Sequence, residues 1–354
     1  MILVDAHEDI AYNALRFGRD YRRSAYEIRQ IEQGTSANGI ATTGLPNALL
    51  GRMAVVFSTI FTAPKGSSTM LADSPTYETP RQAYELATRQ WDYYQRLVDE
   101  SDQIHLITTG KDLDKVLATW ADDAPADKRL QGFVLLMENA DPILEPKQFE
   151  EWYERGVRVV GPAWVASRYC GGTSMPGGLT DLGRELLDVL ANFKAILDLS
   201  HMAEQAFLEA LEAYEGDVII ASHSNPRKFR NTDRHLSDQM IRLLAERDGV
   251  MGIVPYNNFL SDTWRAGDRK SDLPLTVVID AMDHVCQVTG SAQHVGIGSD
   301  FDGGFGSASI PDGLDTVTDL FSISAALRTR GYSESDIEAI MGGNFLRKLR
   351  QALP

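Results

Sequence analysis

Along most of this chain, short apolar runs alternate with longer stretches of helical periodicity. The runs at 2–4, 53–61, 132–137, 157–161, 195–199, 217–222, 249–254 and 295–299 are rich in Val, Ile, Leu and Phe and end in polar residues, which predicts buried strands. A ninth run, at 103–108, has no polar cluster after it. Helical spacing is clear over 80–99 through Ala83, Leu86, Ala87, Trp91, Tyr94 and Leu97. Similar stretches lie at about 110–120, 146–155, 180–193, 203–214, 236–247, 274–289 and 313–329. Residues 10–52 predict a helix followed by a Gly/Thr/Asn-rich loop at 34–47 over a cleft, and 63–75 predicts a long loop.

Strands that alternate with helices imply a parallel sheet, because parallel neighbours need a crossover between them. No Gly-x-Gly-x-x-Gly opens a helix after the first strand, which argues against a dinucleotide-binding sheet. Nine candidates are one more than a closed barrel of eight needs, and 103–108 is the piece to set aside. The expected fold is therefore a (β/α)8 TIM barrel, with residues 1–354 as a single domain. Chemistry in that fold sits at the carboxyl ends of the strands.

Composition narrows the function. A chain of 354 residues, 43% hydrophobic and 24% charged, has the make-up of a soluble globular protein. Its net charge of -16 argues against nucleic acid or an anionic membrane surface as partner. Cys170 and Cys286 are too few for a disulfide framework and read as free thiols in a reducing compartment. The first strand starts at residue 2, leaving no room for a signal peptide, and no apolar run approaches the roughly 20 residues that span a bilayer. A cytoplasmic protein is expected.

The predicted strands end in His7 and Asp9, Glu138, Trp164, His201, His223, Tyr256 and Asp300. Of seven histidines, three directly follow apolar runs, in D-A-H-E-D, L-D-L-S-H and A-S-H-S, while His105, His284 and His294 read as structural. His7 and Asp9, two residues apart on an extended segment, point to the same side and can share an ion. Three imidazoles with carboxylates suit zinc or a similar divalent ion rather than calcium or magnesium. His7 and Asp9 make half a shell, His201 and His223 another, and Glu138 has two oxygens with which to bridge. Such a pair lowers the pKa of a shared water to about 7 and sets hydroxide beside a polarised carbonyl. The reaction class is metal-assisted hydrolysis.

The ordered set D-A-H-E-D, M-E-N, L-D-L-S-H, S-H-S-N-P, D-R-H-L-S-D and G-S-D-F-D-G resembles the membrane (renal-type) dipeptidase family, peptidase family M19 of the amidohydrolase superfamily, from residue 2 to near 350. The resemblance implies a (β/α)8 barrel with two Zn2+ per chain that hydrolyses dipeptides (L-Xaa-L/D-Xaa). Some members open β-lactam rings. It also implies homodimerisation. Carried over, His7 and Asp9 hold one zinc, His201 and His223 the other, and Glu138 bridges. Arg234, eleven residues after His223, would bind the substrate carboxylate, and Asp300 would carry a proton from water to the leaving amine. Trp164 and Tyr256 would line the substrate cleft, and Asp302 would cap a loop.

One position departs from the family. Where relatives have a histidine in a Thr-His-Ser setting, this chain reads G-P-A-W-V-A-S, with Trp164. Either Trp164 takes part of that role through its indole N–H, or Arg168 does, or Trp164 only walls the cleft, or the substrate differs. A non-peptide amide, lactam or lactone is thus the alternative substrate class, and a noncatalytic metal-binding relative the alternative outside enzymes.

Overall fold

The computed structural model describes residues 1–35, 37, 40–67 and 74–354. The expected loop at 63–75 therefore has its residues 68–73 outside the described residues, as are 36, 38 and 39 of the 34–47 stretch.

Eight parallel strands close into a ring. They are β1 (Leu3–Glu8), β2 (Met53–Phe61), β3 (Gln131–Glu138), β4 (Val157–Gly161), β5 (Ile196–Asp198), β6 (Ile219–Ala221), β7 (Val250–Ile253) and β8 (Val295–Ile297). Each pairs with the next, and β8 returns to β1 through Ile297 and Asp5. The fold is the (β/α)8 barrel. The ninth candidate is the strand Ile104–Leu106, which flanks the first residues of β3 before β4 takes over at Leu135. It lies outside the ring.

Parallel strands buried on both faces need apolar residues on both. Residues in register point the same way, so Val4, Val55, Phe57, Val134, Leu136, Val159, Ile196, Ile220 and Val250 form one inward-facing cluster that fills the barrel. The alternate set, including Leu3, Val56, Phe133, Leu135 and Val160, packs outward in a second cluster with helix residues such as Tyr94 and Leu186. The helix Pro80–Glu100 buries Ala83, Ala87, Tyr94 and Leu97 at helical spacing and starts on a Thr79–Gln82 capping box.

Three regions differ from the sequence reading. Residues 10–50 hold three helices, Ile10–Phe17, Ala25–Ile31 and Leu45–Leu50, rather than one helix and a loop. A hairpin of Cys170–Gly172 against Met175–Leu179 follows β4, and helical turns over Glu334–Ala352 close the chain. The last helix sends Phe345 and Leu349 into the interior cluster as a floor. At Gly296 a β-carbon would stand 2.6 Å from the Phe345 ring, so the strand above that floor has no room for a side chain. Among the described residues, no helix is long and apolar enough to cross a membrane.

Candidate metal centre

The first candidate pair, His7 and Asp9, is aimed by a bulge. Asp5 aligns with Val56 and Glu8 with Ser58, so three steps along β1 match two along β2, an insertion of one residue. Val4 and Ala6 face inward below it, and past the bulge His7 and Asp9 turn into the barrel mouth while Glu8 turns away. Asp5 stays outward and accepts from the N–H of Ser299 (2.7 Å) and its hydroxyl (2.5 Å), which ties β1 to the end of β8.

At the mouth, Glu138 divides its carboxylate. Oε2 lies 3.4 Å from His7 Nε2, whereas Oε1 lies 3.2 Å from His201 Nε2 and 3.3 Å from His223 Nε2. The two latter nitrogens are 3.0 Å apart. Tetrahedral zinc with bonds of about 2.0–2.1 Å sets its donors roughly 3.3 Å apart, so these three atoms make one face of such a tetrahedron. On the other side, His7 Nε2 lies 4.0 Å from Asp9 Oδ1 and 3.8 Å from Asp300 Oδ1. Asp9 also accepts a hydrogen bond from the Thr59 hydroxyl.

The residues fit divalent metal on a second ground. Both ring nitrogens of fully buried His7 lack a hydrogen-bond partner, an arrangement that costs free energy unless another group supplies the contact. Without metal the charges are lopsided. Burial alone would lower the pKa of His7, but Glu138, Asp300 and Asp9 carry it up to about 10. His201 and His223 are held well below the ordinary value, by burial first and then by the positive charges of Arg234 and His7. Asp300 is pushed well above the usual carboxylate range by burial, with Asp9 and Glu138 adding to the rise and His7 and Arg234 opposing it.

Arg234 is buried beside this cluster and donates from Nη1 to the Ser224 hydroxyl (3.2 Å) and from Nη2 to the His223 carbonyl (2.6 Å). Its Nε–H has no partner, and each terminal nitrogen keeps a second N–H. Its neighbour Asp233 instead accepts from the Ser174 amide, and Asp238 pairs with His284. Asp300 sits in the left-handed region (φ 55°), as does His201 (φ 66°), a conformation uncommon for residues other than glycine. At Gly303 a β-carbon would lie 1.9 Å from Asp300 Oδ1, so glycine alone lets the loop wrap that carboxylate. Asp302 is a tie, accepting from Thr42, Thr43 and Arg19.

Two aromatic groups flank the cluster. Trp164 packs edge-on against Phe61 (4.9 Å between ring centres), which packs against Tyr12, and the indole centre is 6.1 Å from the His201 ring. Tyr256 stacks on Phe305 at 4.2 Å and meets Phe259 edge-on. Burial raises the pKa of its phenol, with Asp300 adding to the rise. Arg168 does not join them: its guanidinium holds Asp141 and the carbonyls of Ile143 and Leu144. His105, His284 and His294 are each bonded elsewhere, to Asp112, Asp238 and the Gly249 carbonyl.

Sequence reasoning missed the residues behind the donors. Ser222 accepts at His223 Nδ1 (2.8 Å) and donates to Asp198 (2.5 Å), and the Thr173 oxygen lies 3.0 Å from His201 Nδ1. Asp198 stands in L-D-L-S-H, but its partner is 24 residues away. Thr173 comes from the unforeseen hairpin.

A parallel barrel whose strand ends gather His7, His201, His223, Asp9, Glu138 and Asp300 has a mouth that could hold metal. Residues 1–353 match the family described as membrane dipeptidase (peptidase family M19), and the chain belongs to that family of metal-dependent dipeptidases. Among its relatives is an uncharacterized protein of the pqqA 5' region of Klebsiella pneumoniae, 34% identical over 215 residues, 58% of this chain and 76% of that one. Dipeptidase 3 of Rattus norvegicus is 25% identical over 287 residues, 78% of this chain but about half (54%) of its own length. A metallo peptidase from Rhodobacter sphaeroides, liganded with a phosphinate mimic of the dipeptide L-Ala-D-Ala, superposes with a TM-score of 0.81 over 99% of both chains at 24% identity. The probable dipeptidase PvdM of Pseudomonas aeruginosa gives 0.78 at 21% identity, over 99% of this chain and 95% of that one.

Proposed function

We propose that this chain is a cytoplasmic dizinc dipeptidase that hydrolyses the peptide bond of L-Xaa-L/D-Xaa dipeptides. The observation that carries the reading is the divided Glu138 carboxylate, one oxygen beside His7 and the other beside His201 and His223. On this reading His7 and Asp9 would hold one zinc and His201 and His223 the other, with Glu138 reaching both. Divalent ions supply Lewis-acid polarisation and acidify bound water.

The chain's own groups do the rest. Arg234 keeps three N–H groups uncommitted in a buried setting, which suits a substrate carboxylate. Binding there sets the scissile carbonyl over the cluster. Asp300, whose pKa is raised, is suited to take a proton from the attacking water and release it to the leaving amine. Trp164 and Tyr256 flank the substrate and exclude water. Free Cys170 and Cys286 support a reducing compartment.

The test is metal analysis beside a library of mixed L- and D-dipeptides. About two zinc ions per chain with release of free amino acids is the expected result, and metal-loaded protein that cleaves no dipeptide overturns the assignment. A second reading rests on Trp164, which stands where relatives carry a histidine: hydrolysis of lactams or lactones with no dipeptide cleavage would select it.

A further inference from the structure

The two halves of the centre are supported differently. Asp198 is buried and accepts from the amides of Ser200 (3.0 Å) and Ser222 (2.8 Å) and, at 2.5 Å, from the Ser222 hydroxyl. With its hydrogen committed to Asp198, the Ser222 oxygen can only accept at His223 Nδ1. That fixes the proton on Nδ1 and leaves the Nε2 lone pair facing Glu138. Thr173 acts alike on His201: its hydroxyl donates to the His201 carbonyl (3.3 Å), so its oxygen accepts from Nδ1. His7 has no such hydrogen bond to fix its tautomer, since neither ring nitrogen is bonded, and its ring is positioned by stacking on His223 at 3.6 Å instead.

Spacing follows the same division. Donors of the supported half are 3.0, 3.2 and 3.3 Å apart, whereas the Glu138 and Asp9 oxygens lie 3.4 and 4.0 Å from His7 Nε2. The first set matches the roughly 3.3 Å edge of a zinc tetrahedron without movement, and the second must contract. Ligands already held in tautomer and position lose less freedom on binding.

We infer that the centre binds its metals unequally: the His201–His223–Glu138 half fills first and more tightly, with Asp198, acting through Ser222, as its positioning residue. The inference rests on the two-ion reading above. Groups behind metal ligands typically contribute 10–100-fold in affinity, and that is the size of effect expected here.

The experiment titrates chelator-stripped full-length protein with Co2+, reading visible absorption, and with Zn2+ against a chromophoric chelator. Two steps at least about tenfold apart are expected. Ser222→Ala and Asp198→Asn should weaken the tighter step roughly 10–100-fold and spare the weaker one, and His7→Ala should remove the weaker step alone. If Asp198→Asn does not fold, Ser222→Ala carries the test, because it leaves the two amide bonds to Asp198 in place. Equal steps, a Ser222→Ala protein with an unchanged tighter step, or equal weakening of both steps would overturn the inference. Absence of any uptake would overturn the two-ion reading with it, whereas unequal uptake without dipeptide cleavage would remove only the dipeptidase assignment.

Discussion

Gly303 lies against Asp300 so closely that a β-carbon there would stand 1.9 Å from Oδ1. Gly303→Ala must therefore push the carboxylate away from its place 3.8 Å from His7. Because a shift of about 1 Å at a reacting group can cost 10²-fold, kcat for dipeptides should fall by roughly that factor while metal content stays near that of the parent. Parallel kinetics and metal analysis check this, and an unimpaired variant would mean the Asp300 position is not critical.

Asp300→Asn keeps size and removes the proton acceptor. A loss of roughly 10²- to 10⁴-fold in kcat is expected, with the KM of a dipeptide little changed. A variant as fast as the parent would remove Asp300 from the proton transfer.

Arg234→Met should act through the substrate's carboxylate. Loss of charge-assisted hydrogen bonds of about 1.5–3 kcal/mol predicts a fall of roughly 10- to 100-fold in kcat/KM. Dipeptide amides, which lack the carboxylate, should lose far less. Equal losses for both substrates would place Arg234 in scaffolding instead.

Trp164 meets its neighbours ring to ring. Trp164→Phe should thus keep activity within about threefold, and Trp164→Ala should raise KM as the wall opens. A steep loss in the Phe variant would assign a role to the indole N–H.

His235, which is not among the candidate ligands, adds a pH dependence to stability. Burial, then the charges of Arg234, Arg230 and Arg227, hold its pKa well below the ordinary value. Its folded form binds fewer protons than the unfolded chain, so its contribution to stability is full above about 6.5 and is lost as pH falls toward the folded pKa, at up to about 1.4 kcal/mol per pH unit. Thermal unfolding of metal-loaded protein between pH 7.5 and 5.5 should show Tm falling, and His235→Asn should flatten that slope. Parallel slopes would refute the assignment.

The barrel was legible because its strands are apolar on both faces: β2 and β4 occupy the very spans 53–61 and 157–161 that the sequence marks. Ile104–Leu106 could be set aside because nothing polar followed it. The Cys170–Leu179 hairpin was not legible, since its Gly-rich C-G-G-T-S-M-P-G-G-L has no alternation to reveal a strand. Nor was the β1 bulge, because an insertion shows only against the partner strand. The residues that meet at the barrel mouth could be named from their place after apolar runs. Their supports could not: Ser222 and Thr173 are ordinary polar residues until folding brings them to an imidazole.

The ring of strands is completed by β1 and β8, where the Asp300 amide donates to the His7 carbonyl at 3.0 Å. These residues are almost the full chain apart, so their meeting is among the most non-local events in folding. His201 and His223, on successive strands, need only a short crossover to come together. All five candidate ligands precede β8 in the chain, so closing the circle would be the step that delivers Asp300, the proposed proton carrier, to donors that the earlier strands already hold.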